Sequence, residues 1–132
     1  MTNRIPSLHA RTYPPVPSVA RDSRAVLREL LDRWELAELY ESASLVLTEL
    51  VSNAIRSEKP IGVAFSRRDS ASLRVEVRDS GSGLPEAVAA EDDEESGRGL
   101  LLVGALAVEW GWRPIPDGKI VYAVLSLEGL PI

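Results

Sequence analysis

The feature that most constrains the fold is a strictly alternating run near the middle of the chain, LRVEVRD at residues 73–79. Leu73, Val75 and Val77 share one face of a strand, because successive side chains of a strand point to opposite sides, and the charged residues between them share the other. Such a strand belongs to a sheet with one buried face. Asp79 continues the apolar series, so a carboxylate is predicted on the core side, where an unpaired charge is costly.

The segments around this strand are predicted to supply a helical layer and the rest of the sheet. Apolar residues at helical spacing indicate helices, and alternating runs bounded by turn residues indicate strands. The helices are predicted from an N-cap at Ser18 to Trp34, over residues 41–57 before the stop at Pro60, and over residues 97–110. The strands are predicted near residues 8–13, 61–68, 72–80, 111–114 and 120–127. The first is expected at an edge of the sheet, the second and third form an antiparallel hairpin, and the last two flank the turn PDGK. This order predicts an α+β fold, a two-layer sandwich with a mostly antiparallel sheet.

Composition narrows the classes of function. The 132 residues are enough for one domain, and the absence of cysteine excludes disulfides and thiolate chemistry. One histidine, His9, leaves little scope for a zinc site or a Ser-His-Asp triad. Nowhere do 18 apolar residues follow one another, so no membrane span is predicted. The net charge of -5 argues against direct nucleic-acid binding. A cytoplasmic location is expected.

Polar residues of the second helix form the first candidate site. Glu49, Asn53 and Arg56 lie within about 60° of one another on one stripe of the helix. The apolar face is a different one, formed by Ala43, Val46, Leu47, Leu50, Val51 and Ala54. Glu49 and Asn53, one turn apart, can address the same ligand, and such side chains hold a hard cation or polarise a water. A solvated helix face with a Glu49 to Arg56 ion pair is the alternative.

The second candidate site is the turn that follows Asp79. Gly81 and Gly83 permit backbone conformations that are closed to other residues and let a ligand come near the main chain. The Asp79 carboxylate beside this turn is well placed to accept hydrogen bonds from a ligand amino group. An Asx-type turn, in which Asp79 bonds the amides of its own loop, is the alternative.

The third candidate site is the start of the third helix, in ESGRGLLLVGALAVEW. Gly97 and Gly99 precede a helix whose unpaired first-turn amides and dipole favour an anion, and Arg98 could neutralise the charge of a phosphate. Ser96 acting as an ordinary N-cap is the alternative, since a lone G-x-G is a weak signal.

Taken in order, the three segments resemble the motifs of a known superfamily. LVLTELVSNAIRS is similar to the N box of the GHKL ATPases, VEVRDSGSGLP to their G1 box and ESGRGLLLV to their G2 box. The N-terminal SVARDSRAVLRELLDRW and the closing GWRPIPDGKIVYAVLSL most resemble the small anti-sigma-factor serine kinases and their actinobacterial relatives. The resemblance covers about residues 10–127 of a single domain, residues 1–132, and implies a Bergerat ATP-binding fold with a lid over about residues 84–98.

The resemblance also implies a role for each candidate residue. ATP would lie between the helical layer and the lid. Asp79 would accept from the adenine amino group, with Gly81 and Gly83 admitting the base. Asn53 would coordinate Mg²⁺ and Glu49 would be the general base.

The resemblance places the remaining candidates near the bound nucleotide. Arg56 is expected near the nucleotide. Gly97, Arg98, Gly99 and Leu100 would belong to the end of the lid, where phosphates meet the helix N-terminus.

The resemblance further implies a reaction and partners. Relatives phosphorylate a serine of a STAS-type anti-anti-sigma factor and alternately bind a sigma factor, and they often form homodimers. The expected function is an ATP- and Mg²⁺-dependent protein serine kinase that is also an anti-sigma factor. A nucleotide-binding interaction regulator without kinase activity is the alternative. An interaction domain that has lost ATP is a third hypothesis, against which the intact Glu49, Asn53 and Asp79 argue.

Two positions depart from the family pattern. Ser57 stands where relatives often have a histidine after the N-box arginine. Ile120 stands where many relatives carry, after the Gly-Lys of the last box, a threonine that supports the adenine-reading carboxylate. A buried hydroxyl contributes on the order of 1 kcal/mol through its hydrogen bond, so a nucleotide affinity about tenfold weaker is expected.

Overall fold

A computed structural model describes residues 7–80 and 94–129, with the side chains of the second range described from Leu100 onward. Within these ranges the chain forms three α-helices and five β-strands. In chain order they are β1 (Leu8–Tyr13), α1 (Ser18–Arg33), α2 (Tyr40–Ile55), β2 (Ile61–Asp69), β3 (Ser72–Asp79), α3 (Glu94–Leu106), β4 (Glu109–Ile115) and β5 (Gly118–Ser126), with short 3-10 helices at Ala37–Leu39 and Leu127–Gly129. The predicted α+β fold is confirmed.

The strands form one antiparallel sheet in the order β1-β2-β3-β5-β4. β2 and β3 form the predicted hairpin, and β4 and β5 form a second one around the predicted turn. The chain leaves β3, passes through α3 and β4, and returns in β5 to pair with β3 in the interior of the sheet. β1 is the predicted edge strand and pairs only with β2 among the described strands.

The alternation of β3 places its apolar residues in the core, as predicted. Leu73, Val75 and Val77 are each at most 1% exposed. Their cross-strand neighbours on β2 and β5 continue the same face, which the helical layer covers: Val63, Phe65, Val121, Ala123 and Leu125. Each fully buried valine, leucine or phenylalanine side chain of this face stabilises the fold by about 1.5–3 kcal/mol relative to an exposed one.

The central helix of the covering layer is α2. Its buried residues are those that the helical spacing predicts, namely Ala43, Val46, Leu47, Leu50, Val51 and Ala54. α2 contacts β2, β3 and β5, and both α1 and α3 pack against α2. The polar stripe of α2 is therefore held at a defined place beside the middle of the sheet. None of the helices in the described ranges is long and apolar enough to cross a bilayer.

Three predicted helix ends are corrected. Ser18 is the first helical residue and no side chain caps α1, whose cap position is Pro17. α2 ends at Ile55, before Pro60 is reached. The third helix spans Glu94–Leu106 and does not reach residue 110, because the Val108 amide already donates to the Val124 carbonyl and Trp110 pairs with Ala123 in the sheet.

Candidate nucleotide-binding site

The Asp79 carboxylate lies at the end of β3, on the helix-facing side of the sheet. Lys119 lies directly opposite Asp79 on β5, and its Nζ is 3.2 Å from Asp79 Oδ2. The Asp79 side chain is 8% exposed and the Lys119 side chain is 10% exposed. The predicted carboxylate on the core side is confirmed, and its charge is balanced where little water reaches it.

A glycine brings Lys119 beside Asp79. Gly118 follows the turn between β4 and β5 with φ +155°, a conformation that L side chains rarely adopt. A Cβ on Gly118 would collide with the Asp79 carbonyl oxygen and lie 2.7 Å from the Ser80 Cα. Only glycine lets the two backbones approach this closely, and the approach sets Lys119 in register with Asp79.

The polar stripe of α2 lies outside its buried face. Glu49 and Asn53 are half-buried, and Arg56 is exposed at the C-cap position of α2. Because α2 packs on β3, the helix of Glu49 and Asn53 and the strand of Asp79 are in direct contact. The backbone of Arg56 is still helical, with φ -60° and ψ -22°, so the polar stripe continues one residue beyond the end of α2.

The glycines of the third segment lie within α3 and not before it. The helix begins at Glu94, so Gly97 is in its first turn and Gly99 in its second. The first-turn amides that were predicted to face an anion therefore begin at residue 94, before both glycines. Leu100 is 1% exposed and belongs to the core. Gly81, Gly83 and residues 84–93 of the predicted lid lie outside the described residues.

Comparison with known families decides what this arrangement is. The sequence matches the histidine kinase-like ATPase domain over residues 14–125, which is most of the chain. The chain belongs to this family. Among curated proteins no similar sequence was found. Membership confirms the GHKL-type superfamily and implies ATP binding by this domain.

The residues of this ATPase domain fit a purine nucleotide. A buried carboxylate is an acceptor for a base amino group, and Asp79 supplies one at the edge of the helical layer. For Mg²⁺, no group of three or more His, Cys, Asp or Glu residues that could hold a metal is found in the described ranges. An ion held through Asn53 and nucleotide phosphates agrees with that finding, because Mg²⁺ usually takes few protein ligands beside substrate phosphates.

The interpretation of Ile120 was wrong in this ATPase domain. Ile120 pairs with Arg78, one residue before Asp79, so it lies on the opposite face of the sheet. It lines an outer groove of about 370 Å³ together with Thr12, Gly62 and Ala64. A hydroxyl at position 120 would not support the Asp79 carboxylate, and the expected tenfold loss of affinity loses its basis.

Lys119 is the site residue that sequence reasoning missed. The signal was available, because counting back in twos from the core residues Ala123 and Val121 leads to Lys119. However, β5 is apolar at nearly every position from Ile120 to Leu125, so its pattern alone does not show which residues face the helices. Pairing with β3 decides it.

Proposed function

We propose that this ATPase domain is a cytoplasmic regulatory protein serine kinase that uses ATP and Mg²⁺. Its phosphoacceptor would be a serine of a STAS-type anti-anti-sigma protein, and it would alternately bind a sigma factor. The observation that carries the proposal is the buried Asp79 carboxylate at the helix-facing end of β3. An ionised group at such a place is costly unless it is paired, and a base-reading role explains why the apolar series ends there.

Three candidate residues of the chain have a definite task in this proposal. Asp79 accepts a hydrogen bond from the adenine amino group and thereby orients the nucleotide. Asn53 would hold Mg²⁺ with its side-chain carbonyl oxygen, and ATP and Mg²⁺, when bound, would supply the transferable phosphoryl group and the charge that neutralises it. Glu49, half-buried one turn before Asn53, takes the proton from the attacking serine hydroxyl.

The observation that motivated the alternative, a nucleotide-binding regulator without kinase activity, no longer supports it. That alternative rested on Ile120 as a lost support for Asp79, and Ile120 faces the outer groove. The kinase proposal is supported by the half-buried Glu49 on a helix that contacts β3. Glu49 is therefore the residue that separates the two functions.

Two measurements test the proposal in sequence. Calorimetric titration of ATP, with and without Mg²⁺, should show binding to the wild type that strengthens with Mg²⁺ and is about tenfold weaker in Asp79→Asn. Labelled ATP should then transfer phosphate to a STAS-domain protein of the source organism. Glu49→Gln should bind ATP as the wild type does and lose transfer.

Glu41 provides the matched control for Glu49. Glu41 lies in the first turn of the same helix and is exposed, so Glu41→Gln should leave both binding and transfer unchanged. Transfer by Glu49→Gln at the wild-type rate would remove Glu49 as general base. A wild type that binds ATP but phosphorylates no STAS protein would favour the regulator without kinase activity.

A further inference from the structure

The ion pair between Asp79 and Lys119 is unusual for its position in the sheet. The other residue pairs on the helix-facing side of these two strands are apolar. They are formed by Leu73, Val75 and Val77 on β3 and by Leu125, Ala123 and Val121 on β5. On this side of the two strands, only the row of Asp79 and Lys119 is charged.

Stability does not account for a charged pair in this row. A buried ion pair is a weak source of stability, and well-packed apolar residues of similar volume are often equal to it or better. One more pair of apolar residues would have continued the core. A pair of charges held at 3.2 Å with side chains at most 10% exposed therefore indicates a role beyond packing.

Lys119 has the chemistry to hold Asp79 ready for a ligand. An ammonium group only donates, so Lys119 Nζ donates to Asp79 Oδ2 across the 3.2 Å contact. A carboxylate has about four acceptor sites, so one bond from Lys119 does not prevent a second bond from a base amino group. The same contact restrains rotation of the carboxylate, which preorganises it for one direction of approach.

We propose that Lys119 is a positioning residue that sets the base specificity of the site. It holds the Asp79 carboxylate in one orientation, so that the site selects purine nucleotides with a 6-amino group over those with a 6-hydrogen or a 6-oxo group. This inference rests on the proposed nucleotide site and adds to it a residue outside the three motifs. Lys119 acts through Asp79 and does not contact the base.

The test compares the affinities of ATP, inosine triphosphate and purine riboside triphosphate, each measured by calorimetry with Mg²⁺. Purine riboside triphosphate lacks the 6-amino group and is otherwise the same shape as ATP. The wild type should prefer ATP to it by about tenfold or more, the contribution of one hydrogen bond to a charged acceptor. Lys119→Gln should reduce that preference to about threefold or less, and Lys119→Arg should keep it.

Two further variants separate positioning from a merely structural role. In the Asp79→Asn background, adding Lys119→Gln should leave the preference unchanged, because Lys119 acts only through Asp79. Lys59, the other lysine of the chain, is exposed, so Lys59→Gln is the matched control and should keep the full preference. Thermal melts and circular dichroism confirm that each variant is folded.

Each contrary result has a distinct meaning. Equal losses of ATP and purine riboside triphosphate in Lys119→Gln would overturn the proposal and make Lys119 a structural residue. A larger effect on inosine triphosphate than on ATP would also overturn it, since Lys119 would then contact the base directly. Should Lys119→Gln fail to fold, a folded Lys119→Arg that loses the preference overturns the proposal as well. Absence of ATP binding by the folded wild type would instead overturn the nucleotide site itself.

Discussion

β3 takes part in an ion pair on each of its two faces, and the pair with the longer contact is the more deeply buried one. On the outer face, Arg74 Nε lies 2.7 Å from Glu76 Oε1, with the side chains 19% and 29% exposed. On the helix-facing side, Lys119 Nζ lies 3.2 Å from Asp79 Oδ2, with both side chains at most 10% exposed. The shorter contact is the better hydrated one, so distance alone does not rank the pairs.

The two pairs differ in whether water could solvate one charge if its partner were removed. Arg74 also lies over the Tyr122 ring, 4.1 Å from its centroid, and retains contact with water on the outer face. Asp79 and Lys119 are enclosed by the sheet and the helical layer, where an uncompensated charge is costly. Burial therefore decides how much each pair matters to the fold, and the following experiments test that conclusion.

The largest effect is expected from breaking the inner pair. Asp79→Leu leaves the Lys119 ammonium buried without that carboxylate, and a loss of about 3–5 kcal/mol in the free energy of unfolding is expected. Joint replacement of Asp79 and Lys119 by leucine should recover most of the loss, because no buried charge is left. Urea denaturation of the single and double variants measures both. Losses that simply add would contradict this account.

A smaller loss is expected from a methyl group at Gly118. Gly118→Ala places a Cβ against the Asp79 and Ser80 backbone at φ +155°, so a loss of more than about 1 kcal/mol is expected. Gly62→Ala on the outer face is the control, because its Cβ would lie 3.1 Å from the Arg78 Cβ and 3.8 Å or more from the rest of that side chain. Thermal unfolding should rank Gly118→Ala well below Gly62→Ala in stability. Equal melting temperatures would argue against a close backbone approach at Gly118.

Breaking the outer pair should cost less. Arg74→Met removes the contact with Glu76 and keeps an unbranched chain over the Tyr122 ring, so a loss of about 0.5–1 kcal/mol is expected. The difference from wild type should shrink as salt is raised from 0.05 to about 1 M, since salt screens exposed charges. Denaturation at several salt concentrations checks this, and a loss as large as that of Asp79→Leu would contradict the contrast between the faces.

The smallest effect is expected from a buried hydroxyl on β1. Tyr13 is 5% exposed, and its hydroxyl has no hydrogen-bond partner among the described residues. Burial raises the pKa of Tyr13 above 10.0, and the nearby Arg11 guanidinium opposes the shift. Tyr13→Phe should change the free energy of unfolding at pH 7 by less than about 0.5 kcal/mol, because no hydrogen bond is lost.

The raised pKa of Tyr13 gives this variant a pH signature. Above pH 10 the unfolded chain releases the phenolic proton while the folded chain keeps it, so wild-type stability falls as pH rises through that window. Tyr13→Phe should lose less stability than the wild type between pH 9 and about pH 11. Denaturation at these pH values measures the difference, and identical curves would show that the Tyr13 hydroxyl titrates normally.

Much of the fold was predictable because periodicity is a local property. The bounds of β1 were predicted without error, and the buried face of α2 was predicted residue by residue. The end of α3 was not, because residues 107–110 continue the apolar helical pattern while backbone bonds to β5 draw them into the sheet. That competition involves residues distant in sequence and has no local signal.

The candidate site, like the fold, was predictable only where local sequence patterns decide the structure. The charge of Asp79 on the core side followed from the alternation of one strand, and the ATPase family followed from three motifs whose order the sequence displays. The partner of that charge was not predicted. Position 120 was interpreted as the support of Asp79, whereas Lys119 is the residue that lies opposite Asp79. A one-residue difference in register exchanges the two faces of a strand, so this choice depended on the pairing.

The sequence by itself determined the α+β class, the helix-facing residues of α2 and β3, and membership of the histidine kinase-like ATPase family. These depend on spacing along the chain, which side-chain geometry translates directly into faces. Only the tertiary structure decided that Lys119 neutralises Asp79 and that Ile120 lies on the outer face. The physical reason is that a buried charge is balanced by whichever group the pairing of distant strands brings within contact, and that pairing is a property of the whole sheet.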